Sequence, residues 1–192
     1  MRYGDARCER GDERGGGVTT DAGASIAREI ILDLAALTPR VAVPHSPNDV
    51  VDIDMVAGTP IQMVFIGTCA GGRVSDVHEV LSVLERAGGR IATGVKLVVT
   101  PASREVHDRL AADGTLARLV EMGAIVTTAG CGACCGTSGV IPDDGMNVLS
   151  TANRNFKARM GNAMVSIYLA SPAACAVAAV TGAIADPREA AG

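Results

Sequence analysis

The sequence predicts an α/β fold, a three-layer α/β/α sandwich around a mostly parallel central sheet. Three observations point there. Short apolar runs recur between residues 60 and 151, and segments with helical spacing lie between them. This alternation of strand and helix places helices on the faces of a largely parallel sheet. The chain has 192 residues, 48% of them hydrophobic, enough for one domain with a sizeable core. A chain of this size buries roughly 70% of its unfolded surface.

Taken in order, residues 1–23 are charged, Gly-rich and without period, and read as a disordered or non-native tail. Residues 24–60 read as an entry segment. In it Ile30, Leu32 and Leu34 alternate, predicting a short strand over 29–35. Pro39, Pro44, Pro47, Asn48 and Gly58 predict an extended connection over 38–60. The main domain is expected over 61–187, followed by a tail over 188–192. It opens with MVFIG at 63–67, a buried parallel strand. Val74, Val77, Val80, Leu81 and Leu84 predict a helix over 75–87, ended by Gly88 and Gly89. VKLVVT at 95–100 is the next strand. Ser103 then caps a helix to about 111, and 115–122 adds another turn or two. Strands follow at 124–128 (AIVTT) and 147–151 (NVLST). Ser171 and Pro172 open a last helix, and Gly182 stops it.

Composition excludes several classes of function. Aromatics are 2% and Trp is absent, so a sheet that stacks unpaired bases has no platforms. The formal net charge of −4 counts against an electrostatic nucleic-acid binder. The most apolar stretch, 169–185, is interrupted by Pro172 and Gly182 and does not predict a membrane span. The first residues, MRYGDARCERGDERGGG, lack the apolar core of an export signal. A cytoplasmic, reducing location is therefore expected. The six cysteines are there more often ligands, catalytic groups or buried small hydrophobes than disulfides.

The unusual residues fall after the strands. The first strand runs into Thr68 and Cys69, and the second into Pro101, Ala102 and Ser103. The third runs into GCGACCG, which carries Cys131, Cys134 and Cys135. The fourth runs into Asn153, Arg154, Asn155 and Phe156, with Arg159 just beyond. Open α/β sheets bind ligands at the carboxyl ends of their strands. Separate loops therefore deliver thiols, a cap hydroxyl, an amide and two arginines to one edge.

Three thiolates suit a soft metal centre. A tetrahedral zinc site wants a fourth ligand. None of His45, His78 and His107 obviously points at the cysteine loop, and Cys135 reads either as core or as a spare or alternative ligand. Three cysteines without a fourth fit an iron–sulfur cluster with one iron left open. Arg154 and Arg159 have the fork that matches carboxylates. Cys175, on an Ala/Val helix, reads as core, and Cys8 as a tail thiol. Arg73 and Asp76 read as electrostatics at a helix start.

These segments resemble the aconitase family, and within it the large subunits of the 3-isopropylmalate dehydratase and homoaconitase type. FIGTCAGGR resembles the family's first-cysteine motif and GCGACCG its CxxC motif. STANRNFKAR resembles the substrate-arginine motif, and YLASPAACAVAAVTG the closing helix. PHSPNDV resembles a segment upstream of the first cysteine. The ordered match runs over roughly residues 24–187 and corresponds to the family's third, C-terminal domain.

The resemblance implies that Cys69, Cys131 and Cys134 ligate a [4Fe-4S] cluster. It implies that Arg154 and Arg159 hold carboxylates of a small hydroxy di- or tricarboxylate. Asn153 would lie close to the cluster, with Ser103 at the same edge. The implied reaction is dehydration and rehydration, with iron as Lewis acid. Two departures stand out. Ala70 and Gly71 replace the family's usual Thr-Asn. The His/Asp pairs and Glu of the preceding domains, and the serine of a swivelling small subunit, have no match here. The chain alone is thus expected to be inactive. It would need that small subunit and a separate N-terminal large-subunit piece, with no nucleic acid or membrane partner. The alternatives are a catalytically incomplete iron–sulfur fragment or sensor, and a structural zinc or thiol domain.

Overall fold

The computed structural model describes residues 21–137 and 140–189. The chain divides into two compact units, Met1–Leu37 and Thr38–Gly192. In the first unit the described residues are all exposed and carry one 3-10 turn, Leu34–Ala36. The strand predicted over 29–35 does not form. Alternation makes a strand only where a partner ladder exists, and among the described residues none pairs there. Instead, Asp33 accepts a hydrogen bond from the Ala35 amide at 3.0 Å and closes the turn locally. The tail expected over 1–20, with Cys8, lies outside the described residues.

The second unit is built on a seven-stranded sheet. Its strands are β1 (Arg40–Ala42), β2 (Val50–Asp52), β3 (Met63–Gly67), β4 (Lys96–Thr100), β5 (Ile125–Val126), β6 (Asn147–Ser150) and β7 (Ser166–Leu169). Their order across the sheet is β2-β1-β7-β6-β3-β4-β5. Every pair from β7 to β5 is parallel, and β1 is antiparallel to both β2 and β7. The α/β class and the mostly parallel sheet are as the sequence predicts.

Three further elements differ from the sequence reading. Residues 38–60 are not simply an extended connection, because they contain the β1–β2 hairpin. Pro44, Pro47 and Asn48 lie in its turn, where Val43 donates to the Asp49 carbonyl at 2.8 Å. Arg40 faces Asp52 across the hairpin and pairs with it at 3.0 Å. Strand β7 has no counterpart in the reading. The predicted strand over 124–128 contracts to β5.

The helices are α1 (Thr68–Gly71), α2 (Val74–Arg86), α3 (Arg104–Ala112), α4 (Thr115–Glu121) and α5 (Pro172–Thr181). Their ends follow from local chemistry. Asp76 accepts the Arg73 amide at 3.0 Å at the start of α2. At its end Gly89 donates to Leu84 and Gly88 to Glu85, a Schellman closure. Ser103 caps α3 by accepting from Val106, and Ser171 caps α5 by accepting from Ala174.

Side chains alternate across the sheet. Val64, Ile66, Leu97, Val99 and Leu149 face one way and pack on α2, α3, α4 and α5. Met63, Phe65, Val98, Val148 and Ile167 face the other way. There they meet Ala133, Cys134, Ala152, Met160 and Val165, so that layer is made of loops. A fully buried Val, Leu or Ile contributes about 1.5–3 kcal/mol relative to exposure. The cysteine loop and the segment after β6 are therefore parts of the core.

Candidate metal and carboxylate site

Strand order reverses at β3. The chain runs outward through β4 and β5, then returns to lay β6 on the other side of β3. The crevice at such a switch point, beyond the carboxyl ends, is where open α/β sheets take ligands. The loops around it are stitched together. Thr151 accepts the Gly67 amide at 2.9 Å and donates to the Gly71 carbonyl at 3.2 Å. Ala102 donates to Gly72, and Gly130 to Pro101. The Thr100 and Thr127 hydroxyls meet at 2.5 Å.

Cys69 is exposed on α1, directly after β3. It follows Thr68, which has a left-handed φ of 69°. A β-branched residue rarely adopts this conformation, and such strain gathers at functional sites. A Cβ at Gly71 would collide with Thr151, so a larger residue does not fit this arrangement.

Cys131 is exposed at the N-cap of a 3-10 turn, Gly132–Cys135, on which Cys134 is buried and Cys135 half-buried. All of these thiols, and Cys175, are free. Cys135 meets Thr137 Oγ1 at 2.9 Å. That contact lowers its thiol pKa, helped by the positive charge of Arg159. Cys175 is core, as read from the sequence, and burial pushes its thiol pKa up.

The segment after β6 brings Arg159 to Cys134, with Nη2 donating to Sγ at 3.4 Å. The guanidinium also lies over the Phe156 ring, 5.4 Å from its centroid. Its Nε is buried and meets no acceptor among the described residues. The approach depends on Gly136 and Gly161. Both have left-handed φ, and a Cβ on Gly136 would meet the Gly161 backbone at 2.7 Å.

The remaining candidates are more dispersed. Arg154 is exposed and donates to the Asn153 carbonyl at 2.8 Å, and Asn153 is exposed beside it. Ser103 stands at the same edge with its oxygen engaged in the cap of α3. His78 pairs with Asp113 at 2.8 Å, and His107 contacts Asp108 at 3.1 Å. Neither meets the cysteine loop in those contacts. Among the described residues, no three His, Cys, Asp or Glu side chains are gathered around one point that would hold a metal.

Two positions had no role in the sequence reading. Asn155 is fully buried and donates to the Val43 carbonyl at 2.8 Å and to the Ser46 carbonyl at 3.4 Å. It thereby ties the β1–β2 turn to the arginine segment. Thr151 joins β3, α1 and β6 as described above. No local signal marks Asn155, because its partners lie more than a hundred positions upstream. Thr151 could be suspected as a hydroxyl at a strand end.

The aconitase family (aconitate hydratase) profile matches residues 54–182. The chain belongs to the aconitase family. It is 44% identical over 172 residues to the 3-isopropylmalate dehydratase large subunit 2 of Archaeoglobus fulgidus, covering 90% of this chain and 41% of that protein. It is 44% identical over 169 residues to the homoaconitase large subunit of Thermus thermophilus, covering 88% and 40%. A Thermotoga maritima 3-isopropylmalate dehydratase large subunit 1 is 45% identical over 170 residues, covering 88% and 40%. The chain thus spans about two-fifths of the length of these relatives. Among the described residues, no helix of this aconitase-family chain is long and apolar enough to cross a membrane.

Proposed function

We propose that this chain is the [4Fe-4S]-holding part of a hydro-lyase of the 3-isopropylmalate dehydratase large-subunit type. Its substrate would be a 2-hydroxy di- or tricarboxylate. One observation carries the reading. Free thiols stand after β3 and β5, and an arginine from the loop after β6 donates to one of them.

The donor set suits the group in kind and number. Cys69, Cys131 and Cys134 would hold the cluster, leaving one iron without a protein ligand. The buried Arg159 Nε beside Cys134 is a donor without an acceptor among the described residues, which sulfide or a carboxylate oxygen would satisfy. When bound, such a cluster supplies a Lewis-acidic iron with an open position for a substrate oxygen. The chain's own residues bind and orient. Arg154 is exposed and offers its guanidinium fork to a carboxylate. Asn153 and Ser103 add an amide and a hydroxyl at the same edge.

The acid–base groups and the remaining substrate contacts come from outside these residues. The relatives are named as large subunits, and we assign this chain a small-subunit partner, in the cytoplasm. The test is iron and acid-labile sulfide per chain after anaerobic reconstitution, with Cys131→Ser beside wild type. Roughly four of each in wild type, lost in the variant, is the expected result. Zinc without sulfide would instead establish a structural site and overturn the reading. One second reading is an iron–sulfur unit without turnover, because His78 and His107 are engaged with Asp113 and Asp108. A loaded chain mixed with the complementary parts of a relative separates the two, because hydration of an unsaturated diacid occurs only under the first.

A further inference from the structure

We propose that Asn155 is a positioning residue for Arg154 and couples the β1–β2 turn to carboxylate binding; this rests on the carboxylate reading of Arg154 above. Between Ala152 and Met160 the chain leaves the core, and Asn155 is the one buried residue in that stretch. It is fully buried, whereas Asn153 and Arg154 before it are exposed. These two therefore form a short exposed step between two fixed points. On one side Ala152 is buried, and its amide donates to Ser150 Oγ at 3.0 Å. On the other side the fixed point is the Asn155 side chain.

Its Nδ2 donates to the Val43 carbonyl at 2.8 Å and to the Ser46 carbonyl at 3.4 Å. The same two carbonyls build the turn: Val43 accepts the Ser46 amide at 3.5 Å, and Ser46 accepts the Asp49 amide at 3.2 Å. An apolar side chain at 155 would fix depth alone. Two hydrogen bonds also fix direction, because their strength falls steeply with angle. The residue after Arg154 therefore cannot rotate freely, and the backbone that carries the guanidinium is held. Arg154 itself donates to the Asn153 carbonyl and has no carboxylate partner among the described residues. A guanidinium on a held backbone loses less freedom on binding than one on a loose loop. Coupling between binding and conformation is reciprocal, so a carboxylate on Arg154 must in turn steady residues 43–49.

The test uses the full chain, reconstituted anaerobically, with malate as the probe. The variants are Asn155→Leu, which keeps the volume and removes the donor, Asn155→Ala, Arg154→Gln, and Asn155→Leu combined with Arg154→Gln. Calorimetry should show malate binding weakened about tenfold in either Asn155 variant, the lower end of what losing a supporting partner costs a ligating group. The double variant should bind no more weakly than Arg154→Gln, because Asn155 acts only through that arginine. Hydrogen exchange supplies a second readout. Malate should slow the amides of residues 43–49 in wild type and leave them unchanged in Arg154→Gln. A merely structural Asn155 would lower stability, leave the malate affinity of the folded variants at the wild-type value and give the turn no protection; that result would overturn this inference and leave the carboxylate reading standing. Additive losses of affinity in the double variant would overturn it as well. If neither Asn155 variant folds, the wild-type exchange decides, and turn amides indifferent to bound malate would overturn it. A loaded wild-type chain that binds no malate would overturn the carboxylate reading and this inference together.

Discussion

The hydroxyl of Thr151 accepts the Gly67 amide at 2.9 Å and so joins the carboxyl ends of β3 and β6, the two strands flanking the switch point. Thr151 is buried, so that amide has no water to turn to. Thr151→Val keeps the shape and removes the acceptor. An unsatisfied buried donor costs about 1–3 kcal/mol. Chemical denaturation should show a loss of that size for Thr151→Val and a much smaller one for Thr151→Ser.

Gly71 sits against the same threonine. Gly71→Ala places a Cβ on the Thr151 side chain and within 2.9 Å of its carbonyl oxygen. Overpacking of this kind costs about 1–3 kcal/mol. The double variant Gly71→Ala with Thr151→Gly should recover part of the loss, because the colliding Cβ and hydroxyl are both removed. Strictly additive effects in a double-mutant cycle would show that the two residues do not meet.

Asn155 holds the β1–β2 turn from a distant part of the chain. Asn155→Ala leaves two carbonyls without their donor and should destabilise by about 1–3 kcal/mol. Hydrogen exchange separates this from a general loss. Amides of residues 43–49 should exchange faster relative to those of β3 and β4.

Asp113 gives a pH signature away from the site. Hydrogen bonds from Thr115 lead in lowering its pKa from 3.8 to about 2, with His78 adding to the effect. The folded pKa is below the unfolded one, so the unfolded chain binds the proton more readily. The contribution is present above about pH 4 and is lost as pH falls towards 2. Asp113→Asn should lower stability above about pH 4 and converge with wild type as pH falls towards 2, flattening the profile in that window.

Thiol chemistry should follow exposure. Under native conditions an alkylating reagent should modify Cys69 and Cys131 early, both being exposed. Cys175 is buried in α5 and its thiol pKa is raised, so it should react only on unfolding. Peptide mass spectrometry of timed samples reads this order, and early labelling of Cys175 would contradict the packing of α5.

Legibility in the sequence followed the range of the forces involved. The strand at 63–67, α2 and the caps at Ser103 and Ser171 could be read because period and capping act within a few residues. The strand expected from Ile30, Leu32 and Leu34 failed for the opposite reason, since a ladder needs a partner and none of the described residues offers one. The β1–β2 hairpin was obscured because its turn residues resemble those of a linker. Strand β7 is short, and its identity comes from β6 on one side and β1 on the other. At the site, residue types and their strand-end placement were legible. The contact between Arg159 and Cys134 was not, because it depends on how two loops fill the second face of the sheet.

That filling has a consequence for anyone scanning the chain by substitution. Gly136 and Gly161 carry no functional group, yet their backbones touch, and a side chain on Gly136 would wedge the loops apart. A library scored only by iron retained should therefore return blanks at Gly136 as well as at the cysteines. There the lesion would be one of spacing, and no added thiol or cation could rescue it.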